Sequence, residues 1–380
     1  MGRWFEMQTS TLKPILIGSL WCGLLVLPFM GVLGALLTAM FLIASGIVYQ
    51  SITRLSVLER FTALRTRFQT NALSKLNNVK ALQWLFLWGS LSLVVPFFLN
   101  NYYLDILTLA LLYALLAVGL NITVGLTGLL DLGYAGFYAI GAYSYALLST
   151  QMGFSFWLGL PFGAVIAATF GLFLGMITLR LSGDYLAIVT LGFVQIVYLV
   201  LNNWDSVTNG PNGILQVGQP SLGNFKLIDP IHFYYLALFL LAVTVLIVYR
   251  LTKSQIGRAF CAIREDSVAA EAMGIDTTRM KILAFVLGAS IAGVAGVFFA
   301  AKYTFVSPES FNFFESVRIL TMVVLGGMGS LFGAILGAFL LTLLPEMLRG
   351  LDTYRMLIFG ATLVVMMIIR PQGLLGTAHK

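Results

Sequence analysis

Residues 106–179 read ILTLALLYALLAVGLNITVGLTGLLDLGYAGFYAIGAYSYALLSTQMGFSFWLGLPFGAVIAATFGLFLGMITL. This whole stretch contains one charged side chain, Asp131. A membrane-spanning helix needs about 20 mostly apolar residues, because every backbone polar group in lipid must be satisfied within its own segment. The stretch is long enough for three such helices, so it predicts a chain that crosses a membrane repeatedly.

The composition of all 380 residues supports the same conclusion. Hydrophobic residues make up 59% of the chain, and only 22 Lys and Arg and 15 Asp and Glu are present. A soluble domain carries about a quarter charged residues, so an ordinary soluble protein is excluded. The net charge of +7 does not indicate nucleic-acid binding, because the basic residues cluster in two short loops between apolar runs. The predicted fold class is an all-α polytopic membrane protein of about 10 to 11 helices.

The apolar runs predict where the spans lie and divide the chain into two regions. We expect spans at residues 14–31, 33–50, 81–99, 105–125, 132–150, 156–179, 185–201, 232–250 and 282–301. Two or three more apolar segments follow, at 316–327, 331–345 and 356–370. A cleaved signal peptide is the alternative for the span at 14–31. Residues 1–80 form a helical hairpin with a basic loop, and residues 81–380 form the membrane core, which includes a second basic loop at 251–281.

The two basic loops predict the orientation of the chain. Residues 51–80 and 250–281 are rich in Lys and Arg, and such loops remain in the cytoplasm. Six predicted crossings separate the two loops, which is consistent with both lying on one side. The glycine-rich run 326–330 either breaks one long helix or turns a re-entrant pair, and these alternatives place the C-terminus on opposite sides.

Polar and glycine-rich positions within the spans are candidates for a translocation path or gate. Asp131 is either a pathway residue, because a carboxylate in hydrocarbon is costly, or a residue of a turn wetted by headgroups. Glycine-rich stretches at 125–136 and 326–330 resemble the broken helices that transporters use near polar substrates, although ordinary tight packing explains them equally well. The candidate path residues are Asn121, Gly125, Gly128, Asp131, Tyr134, Tyr138, Gly326, Gly327 and Gly329.

The loop at 255–281 has the pattern of a short amphipathic helix. Its apolar stripe consists of Ile256, Phe260, Ile263, Ala270 and Met273, and charged residues Arg264, Glu265, Asp266 and Glu271 lie beside it. Gly274 is placed to end the helix. Such a helix either lies on lipid or docks in a groove of a cytoplasmic partner. The mixture of acidic and basic residues favours docking, because Lys and Arg dominate helices that bind an anionic bilayer.

No catalytic set is visible in the sequence. A phosphate-binding loop of the form G-x-x-x-x-G-K-[ST] is absent, so the chain is not expected to hydrolyse ATP itself. The two histidines, His232 and His379, are far apart, and no metal or other cofactor site is expected. A secondary transporter or channel remains the rival class, and Asp131 with Asn121 is its only plausible ion site.

Seven motifs in fixed order resemble a known family. They are GLNITVGLTGLL (119–130), GFYAIGAY (136–143), GDYLAIVTLG (183–192), GPNG (210–213), GRAFCAIRED (257–266), VLGGMGS (324–330) and RPQGL (370–374). Together they resemble the membrane subunits of bacterial ABC importers of the LivM/LivH type, the branched-chain amino acid permeases, and most closely the LivM branch. Residues 1–100 contribute little to the resemblance.

This resemblance implies a subunit of the cytoplasmic (inner) membrane with several partners. These are a homologous second permease subunit, two cytoplasmic ATPase subunits that bind ATP, an external substrate-binding protein and a small-molecule substrate, with membrane lipid around the chain and no nucleic acid. The helix at 255–274 would be the coupling helix, with Ile256, Phe260, Ile263, Arg264, Glu265, Asp266, Glu271 and Gly274 as its contact residues. Similar permeases serve urea and short-chain amides, so that substrate class is the alternative to branched-chain amino acids. The Glu271-Ala-Met-Gly274 sequence resembles the EAA loop of importer permeases, but the Ile-x-Leu-Pro that usually follows is absent.

Overall fold

The computed structural model describes residues 99–347 except 180, 182, 223, 224, 227 and 228, together with 96, 360, 364, 373 and 374. All of these residues belong to one compact unit, 92–380. The predicted hairpin and basic loop at 1–80 and the predicted spans at 81–99 and 356–370 lie wholly or almost wholly outside the described residues. They therefore stay predictions.

The described part of the chain is almost entirely helical, as the sequence predicts. Its α-helices are α1 (Asn101–Leu120), α2 (Tyr134–Met152), α3 (Phe156–Thr178), α4 (Asp184–Asn203), α5 (Asp205–Thr208), α6 (Pro230–Lys253), α7 (Gln255–Glu265), α8 (Ser267–Ala272), α9 (Thr277–Tyr303), α10 (Phe313–Gly326) and α11 (Leu331–Met347). Helix α1 continues without a gap into a π-helical turn, Asn121–Leu126.

Five of the helices in the described residues are long and apolar enough to cross a membrane. They are α1 with its π-helical turn, α3, α4, α6 and α9. Helices α10 and α11 have 14 and 17 residues, so each is shorter than the roughly 20 residues that a full crossing needs. The predicted all-α, polytopic fold is confirmed.

The two ends of the bundle differ in charge and in secondary structure. We call the end that carries α7 and α8, with Arg250, Lys253, Arg258 and Arg264, the basic end. At the far end, β1 (Ile214–Leu215) pairs antiparallel with β4 (Phe305–Val306), and β2 (Ser221–Leu222) pairs with β3 (Phe225–Lys226). Ile214 lies opposite Val306, so the long α4–α6 connection is tied to the segment that follows α9.

Helix α9 is the central element of the bundle. It packs against both α2 and α3, and the three helices meet where Gly141, Gly163 and Gly293 lie against one another. Small residues let membrane helices approach closely, and close packing drives their association where the hydrophobic effect is absent. In contrast, α3 and α4 carry many exposed apolar side chains, among them Phe162, Phe173 and Ile188.

The glycine-rich run 326–330 turns a helical pair rather than breaking a straight helix. Helices α10 and α11 pack against each other, and a Cβ at Gly326 would overlap the main-chain oxygen of Gly333. The chain then returns, because Leu374 N donates a 2.8 Å hydrogen bond to Leu325 O beside the turn. Residues 373–374 therefore lie at the same end of the bundle as the turn.

Candidate functional site

The first feature of the site is an interruption between α1 and α2. The π-helical turn Asn121–Leu126 is buried throughout, and the chain needs seven further residues before α2 begins at Tyr134. Single π-helical turns are rare and occur frequently at functional sites. The hydroxyl oxygens of Thr190 and Ser316 accept hydrogen bonds from Leu132 N (3.0 Å) and Ala135 N (2.9 Å), so α4 and α10 hold this interruption in place.

The second interruption, Gly327–Ser330 between α10 and α11, contacts the first. Asn121 Oδ1 accepts a 2.9 Å hydrogen bond from Gly329 N, 208 residues away in sequence. Gly125 packs directly against the two atoms of this bond. A Cβ there would overlap Asn121 Oδ1 and come within 2.5 Å of Gly329 N, so only glycine fits. The structure thus brings together the two glycine-rich stretches that the sequence singles out.

Arg264 on α7 joins both interruptions. Its Nη1 donates a 2.7 Å hydrogen bond to the main-chain oxygen of Gly125, and a Cβ built on Gly329 would lie 2.7 Å from the same nitrogen. The aliphatic part of the Arg264 side chain packs on Gly128. We call this meeting point of Asn121, Gly125, Gly329 and Arg264 the junction. It connects the amphipathic loop of the basic end to the broken parts of the membrane helices.

Gly373 of the C-terminal RPQGL motif lies against the second interruption. A Cβ on Gly373 would lie 2.5 Å from both the nitrogen and the Cα of Gly327. Because Gly327 adjoins the turn that contacts Arg264, residues 373–374 lie at the basic end. By the positive-inside rule that end faces the cytoplasm.

Asp131 lies in the turn that precedes α2, and it is buried rather than wetted. Its side chain is 1% exposed, and Oδ1 accepts a 2.9 Å hydrogen bond from Gly133 N. Among the described residues Oδ2 has no hydrogen-bond partner. Burial raises the pKa of Asp131 from 3.8 to about 7, against the smaller opposing effect of the Gly133 bond. The carboxyl group therefore titrates near neutral pH.

The two tyrosines predicted on the path are packed inside this chain. Tyr134 is fully buried, and its hydroxyl donates a 3.2 Å hydrogen bond to Gly288 O on α9. Tyr138 is 3% exposed and packs edge-on against Phe299 and Phe311. Within the described part of the chain both side chains fix α2 against its neighbours.

The predicted amphipathic helix is two helices with one buried side. Ser254 caps α7, and Asp266 ends α7 and caps α8, since its Oδ1 accepts hydrogen bonds from Val268 N (2.8 Å) and Ala269 N (3.1 Å). Gly274 follows α8 with φ of 85°, and its nitrogen bonds to Glu271 O at 2.9 Å.

The prediction that one apolar stripe docks in a partner is wrong in part. Phe260 and Ile263 are 0% and 4% exposed within this chain, because α7 packs on α6, α9 and the π-helical turn. Ile256 is half-buried against the same core. Met273 does not share this side, since it is 84% exposed. The break at Asp266 rotates α8 and explains the difference.

The solvent-exposed side of this region is formed by α8 and the residues next to its two ends. Val268 and Met273 are 75% and 84% exposed, and Glu265 and Glu271 lie exposed beside them. Exposed apolar residues framed by charges are typical of a protein contact surface. We call Val268, Met273, Glu265 and Glu271 the α8 surface.

A polar cluster at membrane depth was not among the residues predicted from the sequence. Arg318 on α10 donates a 2.9 Å hydrogen bond from Nη1 to the hydroxyl of Tyr113, and its guanidinium lies 4.4 Å from the centre of that ring. The Glu315 carboxylate takes a hydrogen bond from the same hydroxyl. The signal was present, because Arg318 is a lone charge inside the predicted span 316–327.

Comparison with known proteins gives consistent matches. The family model described as branched-chain amino acid transport system / permease component matches residues 102–367. The high-affinity branched-chain amino acid transport system permease proteins LivM of Salmonella typhimurium and of Escherichia coli K12 are each 46% identical over 318 residues. Each of these matches covers 77% of this chain and 75% of the relative.

A more distant relative matches almost along its whole length. The corresponding permease protein LivH of Escherichia coli K12 is 29% identical over 293 residues, which covers 71% of this chain and 92% of LivH. The junction residues, the α8 surface and the Tyr113 cluster all lie inside the region that the family model covers. No solved structure matches the chain.

Proposed function

This chain belongs to the family of branched-chain amino acid transport permease components, and we propose that it is the membrane-spanning subunit of a binding-protein-dependent ABC importer for branched-chain amino acids. Its location is the cytoplasmic (inner) membrane. The sequence holds no phosphate-binding loop, so ATP binds to partner subunits and the chain needs no cofactor of its own.

The partners follow from the same family membership. LivM and LivH relatives are different permease proteins of one kind of transport system, which supports pairing with a homologous second permease subunit. The exposed apolar side chains of α3 and α4 offer membrane surface for such pairing. Two cytoplasmic ATPase subunits and an external substrate-binding protein complete the importer.

We assign the contact with the ATPases to the α8 surface. Val268 and Met273 are exposed at the basic end, whereas Phe260 and Ile263 are covered by this chain. A pull on α8 is transmitted to α7, because Asp266 caps α8 at the residue where α7 ends. The buried side of α7 then moves with the membrane helices against which it packs.

The observation that carries the coupling mechanism is the Arg264–Gly125 hydrogen bond of 2.7 Å. Through it, movement of α7 reaches the π-helical turn after α1, and through the adjacent Gly329 it reaches the α10–α11 turn. Transporters commonly build the substrate path at breaks in their transmembrane helices. The junction therefore converts closure of the ATPases into alternating access of the substrate path.

Transport of urea or short-chain amides is the second candidate within the same class, and an ion-coupled secondary transporter is the candidate from another class. The latter would rest on Asp131 and Asn121. In this chain Asn121 Oδ1 is already bonded to Gly329 N, and Asp131 accepts a hydrogen bond from Gly133 N. These contacts favour structural roles for both side chains and so favour the importer.

The test is uptake by the reconstituted complex in proteoliposomes. Radiolabelled leucine and urea are supplied with and without the ATPase subunits, ATP and the binding protein. We expect leucine uptake only when all components and ATP are present. Uptake of urea alone would reassign the substrate, and uptake of leucine by the chain alone under an ion gradient would overturn the importer mechanism.

A further inference from the structure

Helix α10 carries two opposite charges next to the middle of a membrane span. Arg318 bonds to Tyr113, which is the thirteenth residue of the 26-residue apolar helix Asn101–Leu126. Glu315 lies three residues before Arg318, so the two side chains project from the same side of the helix. The start of α10 is also deep, because Phe311 packs against Tyr138 on α2.

This side of α10 is incompletely covered by the described residues. Phe314 is 76% exposed and Met328 44% exposed, and Arg318 and Thr321 between them are half-buried. Phe314, Arg318 and Thr321 follow helical spacing and form one stripe of α10, and Met328 lies in the turn after the helix ends at Gly326. A stripe that contains an arginine is unsuited to lipid and faces either a water-filled path or a second subunit across that path.

The two charges attract each other through space, but neither forms an ion pair within the described residues. The ion pairs there join His232 with Asp229, Arg279 with Asp276 and Lys302 with Asp105, so Glu315 and Arg318 pair neither with each other nor with another charged group. Charged side chains at membrane depth are costly, and they are kept where a partner or ligand supplies the missing charge. One hydroxyl, that of Tyr113, holds both groups in position.

We propose that Glu315 and Arg318 form a binding site for the zwitterionic head of an α-amino acid on its way through the membrane. The ligand carboxylate binds the Arg318 guanidinium, and the ligand ammonium binds Glu315. Arginine has five N–H donors and only one is engaged by Tyr113 Oη among the described contacts, so a bidentate contact with a carboxylate is available.

This inference rests on the proposed function and narrows its substrate class. An α-amino acid carries its two charges on adjacent groups, which matches two opposite charges that share one helix side. A neutral amide or urea offers no charge to either residue and leaves both without an ion-pair partner. The site therefore selects amino acids over the amides that related permeases serve.

The proposal is tested by equilibrium binding of radiolabelled leucine to the full complex in nanodiscs, without the binding protein. We expect saturable binding that leucine itself displaces. Leucinamide, which lacks the carboxylate, and 4-methylpentanoate, which lacks the ammonium, should displace it at least tenfold less well, and urea should not displace it. These ligand comparisons need no variant protein.

Variants then test which group of the ligand each charged side chain binds. In Arg318→Gln, leucine should bind at least tenfold more weakly and should lose its advantage over leucinamide, because the carboxylate has no partner. Glu315→Gln should remove the advantage over 4-methylpentanoate in the same way. Arg318→Lys should retain part of the preference for a carboxylate. Glu309→Gln, the same substitution at an exposed position before α10, should bind as the wild type does.

The outcomes separate this proposal from the proposed function. No saturable leucine binding, or a preference over leucinamide that survives in Arg318→Gln, overturns the zwitterion site. ATP-dependent leucine uptake by the same wild-type preparation with binding protein is measured in parallel. Uptake without direct binding refutes only the site, whereas failure of uptake refutes the importer assignment itself.

Discussion

Nη1 of Arg264 lies 2.7 Å from the main-chain oxygen of Gly125, which stands 139 residues earlier in the sequence. The bond joins an amphipathic helix at the basic end to an interruption in a membrane helix. A hydrogen bond from a charged donor contributes about 1.5–3 kcal/mol, more than a neutral one. It therefore holds the two elements together more firmly than a neutral hydrogen bond would.

Replacing Arg264 should uncouple ATP hydrolysis from transport. In Arg264→Gln the bond to Gly125 loses its charge, and we expect leucine uptake to fall at least tenfold, about 1.4 kcal/mol, while the complex still assembles and hydrolyses ATP. Uptake and ATPase activity are measured in the same proteoliposomes.

The matched control is Arg258→Gln, which removes an exposed arginine from the same helix. It should retain wild-type uptake per ATP. Equal uptake per ATP in Arg264→Gln and the wild type would contradict the role of the junction.

Charge reversal at the exposed Glu265 should act differently, by weakening contact with the ATPases.

Adding one methyl group at Gly125 should destabilise the protein. In Gly125→Ala the new Cβ overlaps Asn121 Oδ1 and crowds Gly329 N, and we expect a loss of about 1–3 kcal/mol, as for overpacked cores. Thermal unfolding of the purified complex measures the effect. Gly192→Ala is the control, because nothing lies within 4 Å of its added Cβ. Similar melting temperatures for the two variants would show that the residues of the junction can shift to accommodate the added methyl group.

The positions of the helices could be predicted from the sequence, but the contacts between distant helices could not. Apolar length predicts a helix because the backbone must be satisfied within lipid, and the predicted spans at 156–179 and 185–201 match α3 and α4 within two residues. The contact of Asn121 with Gly329 spans 208 residues. No local pattern encodes such a pairing, so the two glycine-rich stretches could be singled out but not joined.

Two further differences have identifiable physical causes. A hydrophobic stripe indicates that Phe260 is buried, but not whether the covering surface belongs to the same chain. Asp266 as a helix cap breaks the stripe and turns Met273 outward, and Ser, Thr, Asn and Asp favour such breaks. Arg318 was overlooked because the apolar residues around it predict a span regardless of one charge.

Asp131 should make the stability of the protein depend on pH. Its pKa is raised from 3.8 to about 7, so the folded state binds the proton more tightly than the unfolded state does. The resulting stabilisation is fully present below pH 4 and is lost as pH rises to 7, by at most about 4 kcal/mol. Asp131→Asn keeps an acceptor for Gly133 N but cannot ionise.

The measurement is the melting temperature of the complex between pH 5 and pH 8. We expect the wild type to lose stability over this range and Asp131→Asn to lose markedly less, so that the variant is the more stable protein at pH 8. Asp184→Asn, which changes an exposed carboxylate in the first turn of α4, should follow the wild type. Parallel curves for wild type and Asp131→Asn would show that Asp131 does not titrate in this range.

The α8 surface and the buried side of α7 should respond oppositely to substitution. Met273→Glu alters a side chain that is 84% exposed, so the free energy of unfolding should change by less than about 0.5 kcal/mol. Binding of the ATPase subunits should nevertheless weaken at least tenfold, because the apolar contact is replaced by a charge. Phe260→Ala removes a fully buried ring and should cost about 3 kcal/mol or more of stability.

Co-purification of the ATPase subunits and thermal unfolding of the chain distinguish the two effects. Glu271→Gln, which keeps the size of an exposed side chain on the same surface, tests whether charge contributes to the contact. If Met273→Glu and Val268→Glu both retain the ATPase subunits at wild-type affinity, the contact surface lies elsewhere on the basic end. The movement would then enter through α7 directly, and Arg264 would be its first point of contact with the membrane helices.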